Sequence, residues 1–467
     1  MRPDRRMPFI PCTVLVALLL APVASPAANL AAQDPGVHAF ENVTVIPMDR
    51  ERTLPGHTVI VRDGRIDIMG PSEEVTVPEG ARRIDGEGRY LLPGLAEMHA
   101  HVPSAEDPPR EDVEEVLFLY VANGITTIRG MLGSAYQLPL RDEIRAGEVL
   151  GPTFYVGAPS IRGATAGSPE AADSLVRAHH AAGYDFLKIH PGVPLDAWDR
   201  AVETAREVGI SFGGHVPQDV GIHHAVETGM TTVDHLDGFL EATRTDGASM
   251  DDRAAFFRAT DSGKLDELVR FLADHEVWLV PTQYLWNHLM GYPDADSLLA
   301  LPEFRYISRE QREAYRERAE NNRANPAITP ASHRAHAEMR QRFLRTAHEA
   351  GVPILMGTDS PQLFNVTGFA LHRELPLMVD AGMSTFEVLL SGTRNVAEYV
   401  ERALGQPGDF GTVSPGNRAD LILVDGNPLE SLDVLQDPAG VMVAGRWVSR
   451  DEIRAGLERI AARYEGS

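Results

Sequence analysis

Apolar and polar positions along this chain change rhythm twice. From about residue 38 to 90 the segments AFENVTVIPMD, HTVIVRDGRIDIMG and RRIDGEGRYLLPG are short, alternating and punctuated by the turns RDGR and DGEGR. Alternation closed by Asp-Gly turns predicts antiparallel strands. ADLILVDGNP and VMVAGRWVSR, near the other end, have the same texture. Residues 33–90 and 404–467 therefore predict one small β-sandwich domain assembled from both flanks.

Between them, over residues 91–403, the apolar runs ITTI, PTFYVG, YDFLKIH, ISFGGH, TTVDH, VWLVPT and VPILMGTD each follow a charged helical segment such as EDVEEVLFLYVANG. Strands alternating with helices predict βα units on a parallel sheet. With LLPGLAEMHAH in front there are eight, starting near residues 91, 125, 153, 185, 210, 231, 277 and 353. Eight units are the count of a (β/α)8 TIM barrel, so the predicted fold class is α/β. The two longest gaps hold charged helical insertions at about 240–274 and 287–345. They follow strands six and seven and so overhang the mouth where this fold places its sites; they read as a substrate-shaping cap or as solvated decoration.

The chain of 467 residues, 43% hydrophobic, has ample material for a core. Its net charge of −24 disfavours nucleic acid and anionic membrane surfaces as partners, because binding them relies on Lys and Arg at phosphates. Residues 1–32 read as a secretory signal peptide, with Arg2, Arg5 and Arg6 before the apolar run FIPCTVLVALLLAPVA and the small residues SPAANLAA. Cleavage there predicts a periplasmic or secreted enzyme with no membrane segment. It would also remove Cys12, the single cysteine, so any metal must be held without thiolate. Lys188 and Lys264 are the only lysines in an Arg-rich chain. Lys264, in SGKLDE, reads as a solvated surface residue.

The histidines inform by position. His99 and His101, two apart at the end of an apolar strand, point to one face, as two ligands of one ion must. His215 ends ISFGGH, His235 ends TTVDH and Asp359 ends VPILMGTD. In a barrel those strand ends meet at one mouth. Lys188 ends strand four among them, where a free ammonium beside metal ions would be repelled and hard to desolvate. His179, His180, His223 and His224 lie in polar helical text and read as solvated.

PGLAEMHAH, the strand-four lysine, the two single-histidine strands and the final GTDS make the chain resemble the amidohydrolase superfamily of metal-dependent hydrolases. The likeness extends to the β-flanks and GTVSPGNRADLILVDGNPL, with the texture of imidazolonepropionase-like proteins and prolidase-like dipeptidases. The resemblance implies two divalent metal ions, zinc by default. His99, His101 and Asp359 would hold one and His215 and His235 the other, with carboxylated Lys188 and a hydroxide bridging them. Asp359 would take the hydroxide's proton and pass it to a leaving amine. The implied reaction is amide-bond hydrolysis on a small-molecule substrate, a dipeptide or N-acyl amino acid.

The likeness thins around the substrate. Pro217 stands where many relatives of this branch place Tyr or His, and SIRGATAGSPE carries Arg162 where they often place His. Arg129 and Arg162 are candidates to grip a substrate carboxylate, each with an ion pair to a neighbouring acid as the plainer reading. Tyr284, Trp286 and His288 after strand seven, His372 after strand eight, and His190 two past Lys188 are further substrate-side candidates. Cyclic amide or lactone hydrolysis, a mononuclear deaminase and a metal-free binding barrel are the alternatives. Oligomeric state is not legible, and a homo-oligomer is compatible with the sequence.

Overall fold

A computed structural model describes residues 36–291 and 294–465; the expected signal peptide and Cys12 lie outside them. No helix among the described residues is long and apolar enough to cross a membrane. The chain opens with strands β1 (His38–Val45), β2 (Leu54–Arg62), β3 (Arg65–Pro71), β4 (Arg82–Asp85) and β5 (Tyr90–Pro93). Seven central strands follow: β6 (Leu95–Ala100), β7 (Ile125–Gly130), β8 (Thr153–Val156), β9 (Leu187–Ile189), β10 (Phe212–Gly214), β11 (Thr232–Asp234) and β12 (Trp278–Val280). The last three are β13 (Leu421–Val424), β14 (Gly440–Val443) and β15 (Arg446–Ser449).

The flanks do join, but into one hydrogen-bonded sheet of eight strands rather than the two sheets of a sandwich. Its order is β15-β14-β13-β5-β1-β2-β3, with β4 also on β1. Nor is it wholly antiparallel: after the β2–β3 hairpin the chain returns alongside β1, so β4 and β5 pair with it in parallel. Phe40, Val59, Leu421 and Trp447 share one apolar cluster of this sheet. The run LLPGLAEMHAH is not one strand but two. Tyr90–Pro93 pairs with β13 in the flanking sheet, and β6 begins after Gly94. A Cβ on Gly94 would stand 2.1 Å from Thr126 Oγ1, so only glycine lets the chain cross here.

The central strands are parallel, in the expected order, and buried on both sides. They form two arcs, β6-β7-β8 and β9-β10-β11-β12, not a continuous ring. Isolated bridges mark the seams, Gly157 with Phe186 and Leu279 with Ile354. The expected eighth strand is reduced to that bridge at Ile354 and one between Ser360 and Ala100. Its segment follows β6 instead through Met98 N to Met356 O at 2.9 Å and Thr358 N to the Glu97 side chain at 2.8 Å. A carboxylate thus replaces part of the ladder.

The insertions are helical as expected, including Arg253–Arg258, Gln283–Leu289, Arg309–Ala324 and Pro330–Glu349. One helix was not foreseen: Arg450–Glu465 closes the chain and packs Ile453 and Ile460 against Phe118 of the helix Arg110–Ala122. His179 is also a correction. It is buried against Tyr184, at 5.6 Å between ring centroids, rather than solvated.

Candidate metal centre

The two histidines of β6 set the site. His99 is buried on the last turn of the pleat and His101 follows the strand, with ring centroids 5.5 Å apart. Below them, Glu97 accepts His99 N at 2.9 Å, Thr358 N at 2.8 Å and Thr358 Oγ1 at 2.6 Å. Burial pushes this carboxyl up to about 8, with Thr358 and His99 pulling the other way. Glu97 thereby fixes β6 to the segment that delivers Asp359.

Asp359 and His235 both take left-handed backbone conformations, at φ 64° and 65°. Such conformations are uncommon outside glycine and turn the side chain off the strand's alternation. Asp359 Oδ1 lies 2.6 Å from His101 Nε2 and 3.8 Å from His99 Nε2, while Oδ2 lies 3.7 Å from His235 Nε2. One carboxylate therefore faces three imidazoles. His99, His235 and Asp359 offer ligand atoms all within 4.8 Å of one another, a group able to hold a metal ion. His235 Nε2 is buried with no hydrogen-bond partner. An orphaned ring nitrogen facing a carboxylate and a second imidazole fits a divalent cation, since a buried polar atom otherwise finds a partner. Burial, reinforced for each by neighbouring imidazoles and Lys188, holds His99 and His235 well below the usual imidazole range. They are therefore neutral, the form that ligates.

Lys188, in the middle of β9, is fully buried, its Nζ 3.4 Å from His99 Nε2 and 3.9 Å from Asp234 Oδ2. Burial lowers its amine to about 8 against the pull of Asp234 and Asp359. Gly214, at φ 125°, makes room for it: a Cβ there would meet Lys188 Cδ at 3.0 Å and Ile189 O at 2.7 Å. Next along the chain, the His215 ring stands 4.5 Å from that of His235 and 4.9 Å from that of His190.

Sequence reasoning missed the residues that aim these rings. His215 Nδ1 is 2.7 Å from Asp237 Oδ2, and His235 Nδ1 is 2.8 Å from Thr282 Oγ1. His99 Nδ1 lies 2.9 Å from Asp234 Oδ2, off the direction of a hydrogen bond. A partner on one ring nitrogen orients the other toward the cluster. Arg340, on the inserted helix Pro330–Glu349, donates to His235 O at 2.8 Å, Pro281 O at 2.6 Å and Gln283 Oε1 at 2.8 Å. The signal was present only for Asp234 and Asp237, which flank His235 in TTVDHLD.

The substrate-side candidates scatter. Arg129 does not face substrate: it is fully buried and bidentate to Asp234 at 3.1 and 3.0 Å, with further bonds to Met98 O, Thr232 and Tyr399. The ion-pair reading holds there, and the shared charges keep Asp234 low although burial alone would raise it. Arg162 is exposed, and its charge contributes to pushing the His190 imidazole down to about 3, an effect led by burial. His372 bonds Asn123 Oδ1 at 3.1 Å beside the helix Arg110–Ala122 rather than at the histidine cluster. Tyr284 and His288 pack on each other at 4.5 Å, and His288 on Phe364 at 5.7 Å. A cavity of about 760 Å³ adjoins the cluster, lined by His235, Asp237, Trp286 and Arg340 among others. Of the loop trio, only Trp286 lines it.

A family model described as the amidohydrolase family matches residues 90–448. The chain belongs to the amidohydrolase family. Membership carries the TIM-barrel architecture within which the two arcs and their bridged seams are read. The adenine deaminase 3 of Rhizobium meliloti is similar at 29% identity over 201 residues, 39% of this chain and 33% of that one. An imidazolonepropionase of Symbiobacterium thermophilum is 42% identical over 62 residues, 12% of this chain and 15% of that one. The matches thus span a third or less of these curated relatives. Among solved structures, a candidate prolidase from Bifidobacterium longum shares 25% identity and a TM-score of 0.65, covering 91% of this chain and 99% of that one. Bottromycin amidohydrolase shares 23% identity and a TM-score of 0.69, covering 92% and 91%. Amidohydrolases typically bind a divalent metal, and the His99, His235 and Asp359 cluster gives this chain a place for one.

Proposed function

We propose that this amidohydrolase is a binuclear metal-dependent enzyme that hydrolyses the amide bond of a dipeptide or N-acyl amino acid. The observation that carries this reading is a lysine buried within 3.4 Å of a histidine that shares Asp359 with two others. A buried, unmodified ammonium is costly there, its desolvation only partly offset by Asp234 and Asp359. Its neutral amine instead adds to carbon dioxide, forming an N–C bond and releasing one proton, and so becomes an oxygen-donor anion. His99, His101 and Asp359 would hold one ion, His215 and His235 the second, and carboxylated Lys188 both; their imidazole and oxygen donors suit zinc. Bound there, divalent ions supply Lewis acidity and a water acidic enough to attack a carbonyl near neutral pH.

The chain's own groups supply the rest. Asp359 takes the proton of the attacking water on a carboxylate oxygen and returns it to the departing amine nitrogen as the C–N bond breaks. Arg162, exposed beside His190, receives the substrate carboxylate. Thr282 and Asp237 keep His235 and His215 aimed, and Arg340 fixes the His235 main chain. The leader-like residues 1–32 support export to the periplasm or medium, and the charge of −24 supports a small-molecule substrate rather than a polyanion.

A second reading is a mononuclear deaminase. It draws on the three-residue cluster, enough for one ion, and on the adenine deaminases among the relatives. Elemental analysis separates the two. Two metals per chain, with Lys188→Ala losing most of both metal and amidase activity, is the expected result. One metal, ammonia released from adenine and an indifferent Lys188→Ala would install the deaminase.

A further inference from the structure

The cavity beside the cluster has a composition the reaction does not require. Beyond His235 and Asp237 its walls are Leu236, Leu240, Phe257, Trp286, Met339 and Phe343, the last two and His336 from the inserted helix Pro330–Glu349. At about 760 Å³ it is the size of a pocket that swallows a drug-sized group. Rings run into it in sequence from the metal site. His235 stands 6.0 Å from Trp286, Trp286 6.3 Å from His336, and His336 4.9 Å from Phe257.

Its polarity is equally specific. Arg340, the one arginine or lysine in its lining, is spent on His235 O, Pro281 O and Gln283 Oε1. Burial, with Arg340, His333 and Arg253 adding, pushes the His336 imidazole down to about 3, so it brings no charge. Asp237 is engaged with His215 and His224 with Asp199, and His223, Glu227 and Glu241 are solvent-exposed at the margin. Nothing in the interior neutralises a carboxylate or compensates an ammonium. Two ring nitrogens, Trp286 Nε1 and His336 Nδ1, are buried without a hydrogen-bond partner. Trp286 Nε1 can only donate.

From the ring-lined walls, the spent cation and the unpartnered indole N–H, we infer that this chamber takes an uncharged aromatic acyl group bearing a hydrogen-bond acceptor. The inference rests on the amide-hydrolase reading and narrows it: the substrate is an aroyl-type amide, its acyl half in the chamber and its carboxylate toward Arg162. The inserted helix is then a specificity element, not decoration.

Calorimetric titration tests the chamber apart from turnover. Neutral N-methyl-6-methoxy-2-naphthamide, whose ether oxygen is the acceptor, is titrated into the full chain as purified, with N-methylacetamide for comparison. The same titrations are run on Met339→Trp, which fills the chamber from the inserted helix, and on Met290→Trp, which fills it from the half-buried end of the helix Gln283–Leu289. The naphthamide should bind at least about tenfold more tightly than the acetamide, and either Trp should abolish that preference. Equal affinity for the two amides, or full naphthamide affinity in a folded Trp variant, overturns the chamber. The metal-loaded enzyme is then offered N-(6-methoxy-2-naphthoyl)-alanine and N-acetyl-alanine. Preferred cleavage of the naphthoyl compound supports the full proposal. Tight naphthamide binding with neither compound cleaved defeats the hydrolase reading and leaves the chamber standing.

Discussion

The mouth of this barrel has two unlike walls. On the strand side, the groups around the cluster hold one another, Glu97 on Thr358 and His99, Arg129 on Asp234, Asp237 on His215 and Thr282 on His235, and the buried ring nitrogens left without a partner, His99 Nδ1, His235 Nε2 and His190 Nδ1, belong to the histidine cluster or adjoin it. On the helical side, Trp286, His288 and His336 each bury a ring nitrogen with no partner. Satisfied networks in low dielectric rigidify, whereas unsatisfied buried atoms carry a penalty until something else arrives. The contrast separates the wall that holds the reacting atoms from the wall that receives a ligand.

The strand wall should fail catastrophically when its central carboxylate is altered. Asp359→Asn retains size but loses the charge facing His99, His101 and His235 and the capacity to carry a proton. Activity should fall by about ten-thousandfold, with metal content also reduced, measured by steady-state turnover and elemental analysis. Activity within tenfold of the parent would remove Asp359 from the chemistry and blur the two walls.

Below that carboxylate lies a pair whose loss should appear as stability. Arg129→Met strands the fully buried Asp234 carboxylate, and breaking a buried ion pair from one side removes about 3–5 kcal/mol. Urea denaturation reads it. Replacing both partners, Arg129→Met with Asp234→Leu, should recover part of that loss, because no charge is left unpaired.

How much of this was legible follows from geometry. His99 and His101 were readable because two positions along an extended strand return to one face. Asp234 was not, because neighbours on a strand point apart, and only the left-handed backbone at His235 lets both serve one cluster. Arg129 was misassigned for a related reason: a strand-end arginine can rise into the mouth or fold beneath it, and only Asp234, Met98 O and Tyr399 decide. Arg340 and His336 lay in charged helical text without a motif. The eighth strand was overcalled because VPILMG has a strand's composition while its backbone pairs with β12 and β6 only at scattered points, and Glu97 takes up Thr358 N in place of a ladder.

The helical wall has a buried carboxyl clamp of its own, as the strand wall has Glu97. Glu374 is buried and accepts Gln283 N at 2.8 Å and Tyr284 N at 2.7 Å. Burial raises it to about 7 from an ordinary value of 4.5, opposed by those bonds and by Arg340. Between these two values the folded chain holds a proton that the unfolded chain has lost. Its contribution is therefore complete below about pH 4.5, falls as pH rises to about 7 and is level above that. Against Glu374→Gln, the parent should lose about 3 kcal/mol across that window in denaturation at stepped pH. A constant difference would show that Glu374 is ionised throughout.

The smallest effect tests whether aim can be separated from fold on the strand wall. Thr282→Val is close to isosteric but removes the hydroxyl 2.8 Å from His235 Nδ1, leaving the ring free to choose its tautomer and tilt. Outer partners of ligating histidines are worth about 10–100-fold in metal affinity, so competition with a chelator should report a drop of that size. Thr282 also holds a left-handed backbone, at φ 48°, which a β-branched valine tolerates no better and no worse than threonine. Stability should therefore move far less than metal affinity. Naphthamide binding should move less than metal affinity, because Thr282 itself does not line the chamber and reaches it only through His235.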